Sequence, residues 1–200
     1  MAGQASDIVI VSGLPRSGTS MMMRMLAAGG LDLLVDEQRQ PDSHNPYGYF
    51  EFAPVRRIAI DHAWLDQARG KAVKVVVPLL MRLPARARCK VVLMHRDLEA
   101  TARSQGRMIA AAGGDPGAPE DWTGPLAALQ QEAQDWCSRL GPGRALAVPY
   151  EDCLRDPRAT ADRVAAFIAP GLPFTPDIAA MAAAVALPRP SVIDPPPRRP

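Results

Sequence analysis

The chain is poor in the groups that mark a metal site, a disulfide scaffold or a membrane anchor. Its 200 residues include only three cysteines, Cys89, Cys137 and Cys153, and three histidines, His44, His62 and His95. The cysteine number is odd, and neither residue type recurs at metal-ligand spacing. A disulfide framework and a thiolate–imidazole site are therefore not expected, and reduced core thiols are. Long apolar runs are lacking too. Ile8–Val11 and Ala179–Leu187 fall far short of the ~20 residues that span a bilayer, and no basic segment precedes an apolar core as in a signal peptide. Neither sign of charge dominates: 23 Lys and Arg against 21 Asp and Glu leave a net +2. That is too mild for a nucleic-acid surface. With no internal repeat, the expectation is a cytoplasmic protein with one domain over residues 1–190 and a Pro/Arg-rich tail over 191–200.

What is present is concentrated near the start. Ile8-Val9-Ile10-Val11 reads as a strand buried on both faces. A turn follows, Gly13-Leu14-Pro15-Arg16-Ser17-Gly18-Thr19-Ser20, and then Met21-Met22-Met23-Arg24-Met25-Leu26, a run of good helix formers. Strand, glycine turn and helix together make a phosphate cradle, because the turn's N–H groups and the orphan N–H groups of the helix point at one spot. The spacing Gly13-x-x-x-x-Gly18 is that of a P-loop, yet Thr19-Ser20 stands where the Walker pattern has Lys-Ser/Thr. The cation sits inside the loop instead, at Arg16. Such a loop suits a phosphate or sulfate better than ATP hydrolysis.

Further along, Ser20–Ala28 is expected as a helix stopped by Gly29-Gly30, and Leu31–Val35 as a short strand or extended segment. Residues 36–51 are polar, aromatic and turn-rich, with Pro41, Pro46 and Gly48 forbidding a continuous helix. Val55–Ala68 has near-helical apolar spacing. Ala72–Val77 is a second strand interrupted by Lys74, which marks either a strand edge or a cleft; the edge is favoured. Pro78–Leu83 is a short helical segment. Lys90–Met94 is a third buried strand, followed by His95-Arg96-Asp97, with Asp97 as N-cap and Glu99 in the first turn of a helix that carries Ser104. Ala110–Gly124 reads as a loop, Leu126–Leu140 as an amphipathic helix, Arg144–Pro149 as a fourth strand and Arg158–Ile168 as a helix. Alternating strands and helices argue a three-layer α/β/α fold with a mainly parallel central sheet, P-loop NTPase-like. Ligands in such folds sit beyond the carboxyl ends of the strands.

Gly13–Ser20 resembles the 5′-phosphosulfate loop of sulfotransferases that use 3′-phosphoadenosine 5′-phosphosulfate (PAPS). Its arginine makes it more similar to tyrosylprotein sulfotransferases and small bacterial relatives than to the cytosolic type, which carries lysine there. Arg96, with Ser104 eight positions later, resembles the family's 3′-phosphate pair; the proline usual after Arg-Asp is Leu98 here. The run from Tyr150-Glu151-Asp152 to Phe167 is similar to a structural landmark of the family, and Glu151 is read as structural. The resemblance implies transfer of a sulfuryl group from PAPS to a hydroxyl or amine, leaving adenosine 3′,5′-bisphosphate (PAP). It implies Pro15, Arg16, Ser17, Gly18, Thr19 and Ser20 on the phosphosulfate, Arg96 and Ser104 on the 3′-phosphate, and no metal.

Arg16 would also stabilise the leaving oxygen. For the general base, alignment from the loop onward favours Glu37. The run Asn45-Pro46-Tyr47-Gly48-Tyr49-Phe50-Glu51, similar to Asn-Pro-x-Gly-Tyr-Tyr-Glu of small bacterial relatives, favours Glu51. Glu51 is preferred over Glu37, with His44 third. The glycine- and lysine-rich C-terminal closing loop of the cytosolic type is missing, and Arg198 and Arg199 are candidate substitutes. The acceptor, a small molecule, carbohydrate, lipid, phenol or peptide, is left open. Two other readings stand beside this one: a P-loop small-molecule kinase, and a non-catalytic nucleotide-binding module.

Overall fold

The computed structural model describes residues 7–36, 38–84 and 87–186. Glu37 lies outside them, as do the tail and its Arg198 and Arg199. The elements run β1 (Ile8–Gly13), α1 (Thr19–Ala28), β2 (Ala72–Lys74), β3 (Cys89–His95), α2 (Leu98–Ala111), α3 (Pro119–Ser138), β4 (Ala145–Pro149), α4 (Tyr150–Arg155), α5 (Pro157–Ile168) and α6 (Ile178–Ala183). Three 3-10 turns lie at Ala53–Arg57, Ala63–Leu65 and Leu79–Arg82.

The four strands form one parallel sheet in the order β2-β1-β3-β4. Every residue of β1 is buried, as a strand with helices on both faces requires. Ile8, Ile10, Val73, Val91 and Leu93 share one core with Ala102 of α2 and Ala133 and Cys137 of α3. Val9, Val11, Val92 and Met94 share the other with α1, α5 and α6. This is the expected three-layer α/β/α arrangement. The chain leaves β1 for β2 on one side and returns to place β3 on the other. The ends of β1 and β3 thus flank the point where the strand order reverses, where open α/β sheets bind their ligands.

Two expectations fail in detail. Val55–Ala68 is not a continuous helix but two 3-10 turns. Asp61 accepts a hydrogen bond from the Ala63 amide at 3.0 Å, a local alternative to the helical ladder, and Ile60 is left 77% exposed. Val55, Ile58 and Leu65 of the expected apolar face enter the core, but Ala59 and Ala63 are exposed, and Trp64, on the opposite side of such a helix, is buried instead. The loop read over Ala110–Gly124 is shorter, because α3 begins at Pro119 with Glu120 and Asp121 in its first turn. Proline at a helix start and acids at its positive end are both favourable, and they outweigh Gly124 and Pro125. Leu31–Val35 contributes a single bridge, Leu33 to Ala72. Beyond β2 the chain still follows β1, through Val75 to Val11 at 3.0 Å and Val77 to Gly13 at 3.1 Å.

Cys89, Cys137 and Cys153 are unpaired and buried. Burial pushes their thiols up to about 11, 12 and 12, so they are inert core groups.

Candidate functional site

The turn after β1 is shaped by backbone demands that the side chains cannot relax. Gly13 has φ +146°, and a Cβ there would lie 2.5 Å from Ser17 Oγ and 2.6 Å from the Met94 carbonyl oxygen on β3. Gly18 caps α1 at φ +98°, with its own missing Cβ 2.5 Å from the Tyr150 ring. Arg16 takes φ +72° although it is not glycine. Such strain persists where the surroundings over-determine the backbone, which is common at ligand sites. No side chain caps the first turn of α1, so its amides remain available to an anion.

The end of β3 supplies the second cation. Arg96 Nη1 donates to the Arg16 carbonyl at 2.9 Å, and its guanidinium lies 4.5 Å from the Tyr150 ring centroid. Arg16 Nε in turn donates to Ser104 Oγ at 3.1 Å. Ser104 is buried on α2, not the surface position its place in the helix would suggest alone. The two phosphate motifs, 80 residues apart at Arg16 and Arg96, are therefore in direct contact.

Both arginines line one cavity of about 550 Å³. Pro15, Gly18, Thr19, Ser20 and Glu51 join them in its wall, as does His44. Ser17 lies beneath the surface instead, 1% exposed, and its Oγ has no partner, nor has Arg96 Nε. Unpaired buried polar atoms are costly and call for a ligand or a water. Arg24, Arg39 and Lys74 also face the cavity, with Glu51 as the counter-charge.

Lys74 corrects the sequence reading. Its strand is indeed at the sheet edge, but the side chain is only 7% exposed and points into the cleft, where Nζ donates to the Tyr49 carbonyl. Burial pulls its ammonium down to about 8. The signal was a lysine interrupting an apolar run. Arg39, Arg24 and Tyr150 were missed as cavity residues, since nothing in their local pattern separates them from surface groups.

Glu51 is held by two arginines, Arg39 at 2.9 Å and Arg56 at 3.1 Å. Its segment crosses the mouth of the phosphate loop. Arg16 Nη2 donates to the His44 carbonyl at 2.9 Å, and Asn45 Nδ2 to Ser20 Oγ at 2.9 Å. His44 thus meets the loop through its backbone. Glu151, away from the cavity wall, accepts from the Asp97 amide at 3.3 Å, a structural contact as expected.

A family model described as "Sulfotransferase family" matches residues 75–176. The chain belongs to the sulfotransferase family. The match spans β3, Arg96 and Ser104 and stops short of the phosphate loop on the N-terminal side. No curated protein sequence matches this sulfotransferase.

Solved structures share its fold. One is a sulfotransferase from Alicyclobacillus acidocaldarius, 15% identical at TM-score 0.57, over 88% of this chain and 85% of that one. Another is the sulfotransferase domain of the Synechococcus PCC 7002 olefin synthase, 18% identical at TM-score 0.55, over 94% and 80%. A mouse sulfotransferase complexed with PAP is 17% identical at TM-score 0.56, over 89% of this chain and 62% of that one.

The residues present fit an anionic nucleotide: a glycine-shaped turn, an uncapped helix start, unpaired Ser17 and Arg96 atoms and five cations around one cavity. Among the described residues there is no group of three or more His, Cys, Asp or Glu placed to hold a metal ion, and no helix long and apolar enough to cross a membrane.

Proposed function

We propose that this site moves a sulfuryl group from PAPS to a hydroxyl or amine of a small-molecule, carbohydrate or lipid acceptor, within one catalytic domain over residues 1–190. The observation that carries the reading is the contact between Arg16 and Arg96 at the ends of neighbouring strands, bridged to Ser104 and opening on one cationic cavity. Ser17, Gly18, Thr19 and Ser20 hold the phosphosulfate through backbone and hydroxyl donors, with Pro15 shaping the turn. Arg96 and Ser104 hold the 3′-phosphate, where the planar guanidinium makes paired charge-assisted bonds. Three buried, unpaired thiols suit a reducing cytoplasm.

The chemistry is positioning plus charge stabilisation. The acceptor oxygen forms a bond to sulfur as the bond from sulfur to the bridging phosphate oxygen breaks. Charge develops on that bridging oxygen, which departs with PAP, and Arg16 and Lys74 stabilise it. Glu51 takes the acceptor proton. To do so it must loosen at least one of its bonds to Arg39 and Arg56. His44 meets Arg16 through its carbonyl, whereas Glu51 faces the cavity as a carboxylate held by two arginines, which supports Glu51 over it. Glu37, the other base considered, lies outside the described residues.

Calorimetric titration with PAP, and with ATP plus magnesium, tests the reading on wild type and Arg96→Ala. PAP should bind, lose about 100-fold or more in the variant, and ATP should be ignored. ATP binding with indifference to PAP would overturn it in favour of a kinase, although Thr19 rather than lysine follows Gly18.

A further inference from the structure

Three donors assigned above to the sulfuryl end of the nucleotide, Arg16, Ser20 and Lys74, are already engaged, each with backbone of a single stretch of chain. Arg16 Nη2 donates to the His44 carbonyl. Ser20 Oγ makes a long bond to the Tyr49 carbonyl at 3.4 Å and receives one from Asn45 Nδ2. Lys74 Nζ donates to that same Tyr49 carbonyl. Backbone carbonyl oxygens therefore occupy the places an anion's oxygens would take. We propose that residues 42–49 form a strap that competes with the nucleotide for Arg16, Ser20 and Lys74, so that PAPS must lift the strap to bind and PAP release lets it return. This inference rests on the reading of the cavity as the PAPS site.

The segment is built to move at its tip and stay at its base. At the base, the Asp36 amide donates to the Glu51 carbonyl at 2.8 Å, and the Ala53 amide donates to Asp36 Oδ2 at 2.5 Å. These bonds close the loop much as in an Ω-loop, and they keep Glu51 in place when the tip lifts.

The tip is organised within itself around Asp42. That carboxylate accepts from the Tyr49 hydroxyl at 2.7 Å and from the His44 and Asn45 amides at 2.8 and 2.9 Å. These bonds set the closed shape of the tip, and lifting it loosens them. Its bonds to the loop are polar, and its residues are exposed or half-buried except for Tyr49, which is buried, so opening costs a few polar contacts and the burial of one ring. The only non-glycine residues with positive φ among those described are Arg16 at 72° and Phe50 at 51°. They lie on either side of this contact, so the closed arrangement carries strain that nucleotide binding releases at the Phe50 hinge.

The competition makes an unusual prediction: weakening the strap should tighten nucleotide binding. Asn45→Ala removes the bond to Ser20, and Tyr49→Phe removes the hydroxyl that ties the tip to Asp42. In calorimetric titration of the full chain with PAP, Asn45→Ala should bind about 2- to 10-fold more tightly than wild type, the worth of one neutral hydrogen bond, and Tyr49→Phe at least as much, because the bond it loses ends on a carboxylate. Unchanged or weaker binding in both, with wild type still binding PAP, would overturn the strap alone. A wild type that ignores PAP would overturn the cavity assignment, and the strap with it. Hydrogen exchange reads the same event directly: saturating PAP should speed exchange at the His44, Asn45 and Gly48 amides, and slowing there would overturn the proposal.

Discussion

The floor and the cover of the cavity are held by different kinds of force. The floor is the end of β1, the start of α1 and the end of β3. Its geometry comes from the sheet register, which sets Gly13 opposite Met94, and from two glycines whose missing Cβ atoms leave no slack. The cover, residues 38–52, is fastened to the cores only at its end, by Phe50 and Phe52, and otherwise rests on ion pairs, ring contacts and polar bonds from side chains. Under the proposed assignment, a site built this way would fix the donor's phosphates rigidly and leave the acceptor side adjustable. In an enzyme that binds two substrates, the rigid half sets the position of the reacting sulfur and the compliant half admits the acceptor.

The sharpest way to separate the two halves is to remove one function from each. Glu51→Gln removes the proposed base from the cover without disturbing the floor. Turnover should fall about 100- to 10,000-fold, with PAP affinity unchanged in calorimetry. Near-normal turnover would take Glu51 out of that role.

Next in size is a pair of glycine substitutions that tests rigidity. Gly13→Ala forces a Cβ against the Met94 carbonyl oxygen at φ +146°. It should cost about 3 kcal/mol or more in urea unfolding. Gly48→Ala meets nothing nearer than Pro41 Cγ at 3.9 Å, although φ is +96°. It should cost about 1–2 kcal/mol, felt mainly as faster exchange within the cover. Equal costs would erase the distinction between the halves.

Lys74 sits where they meet, and its charge gives the comparison a pH axis. Burial lowers its ammonium to about 8 from the ~10.5 of an unfolded lysine. Between these values the unfolded chain binds more protons, so this group's contribution makes stability rise with pH from about 8 to about 10.5. Below 8 the buried charge is retained at a cost to stability. Nucleotide affinity runs the other way, because the charge that attracts an anion is lost above 8. PAP binding should weaken by up to about tenfold per pH unit above that value, and Lys74→Met should flatten the profile.

The same contrast explains what could be read in advance. The floor is local in sequence: an apolar strand, a glycine turn and a helix in one run, then Arg96 and Ser104 eight residues apart on a strand–helix junction. The sheet and both cores followed from it. The cover was legible only as a list of residues. That Lys74 would reach the Tyr49 carbonyl, or Arg39 stack 3.3 Å from the Tyr49 ring centroid, depends on side chains meeting across segments with no periodicity. The 3-10 turns replacing the helix over Val55–Ala68 were hidden for a related reason. Val55, Ile58 and Leu65 match helical spacing and enter the core, and that partial match hid the break that exposes Ala59 and Ala63 and buries Trp64.

The smallest effect is the one that best tests how little each contact in the cover contributes. Arg56 is well exposed, with 65% of its side chain accessible, and donates to Glu51 Oε2 at 3.1 Å. Exposed pairs of this kind gain little, since water and salt screen them and ordering a long side chain offsets the attraction. Arg56→Ala should therefore change stability by less than about 1 kcal/mol. Arg39 still holds Oε1 at 2.9 Å, so the carboxylate stays oriented and turnover should change by less than about tenfold. A large loss of turnover with normal PAP binding would mean that Glu51 is held as rigidly as the floor, and that the acceptor side is not compliant at all.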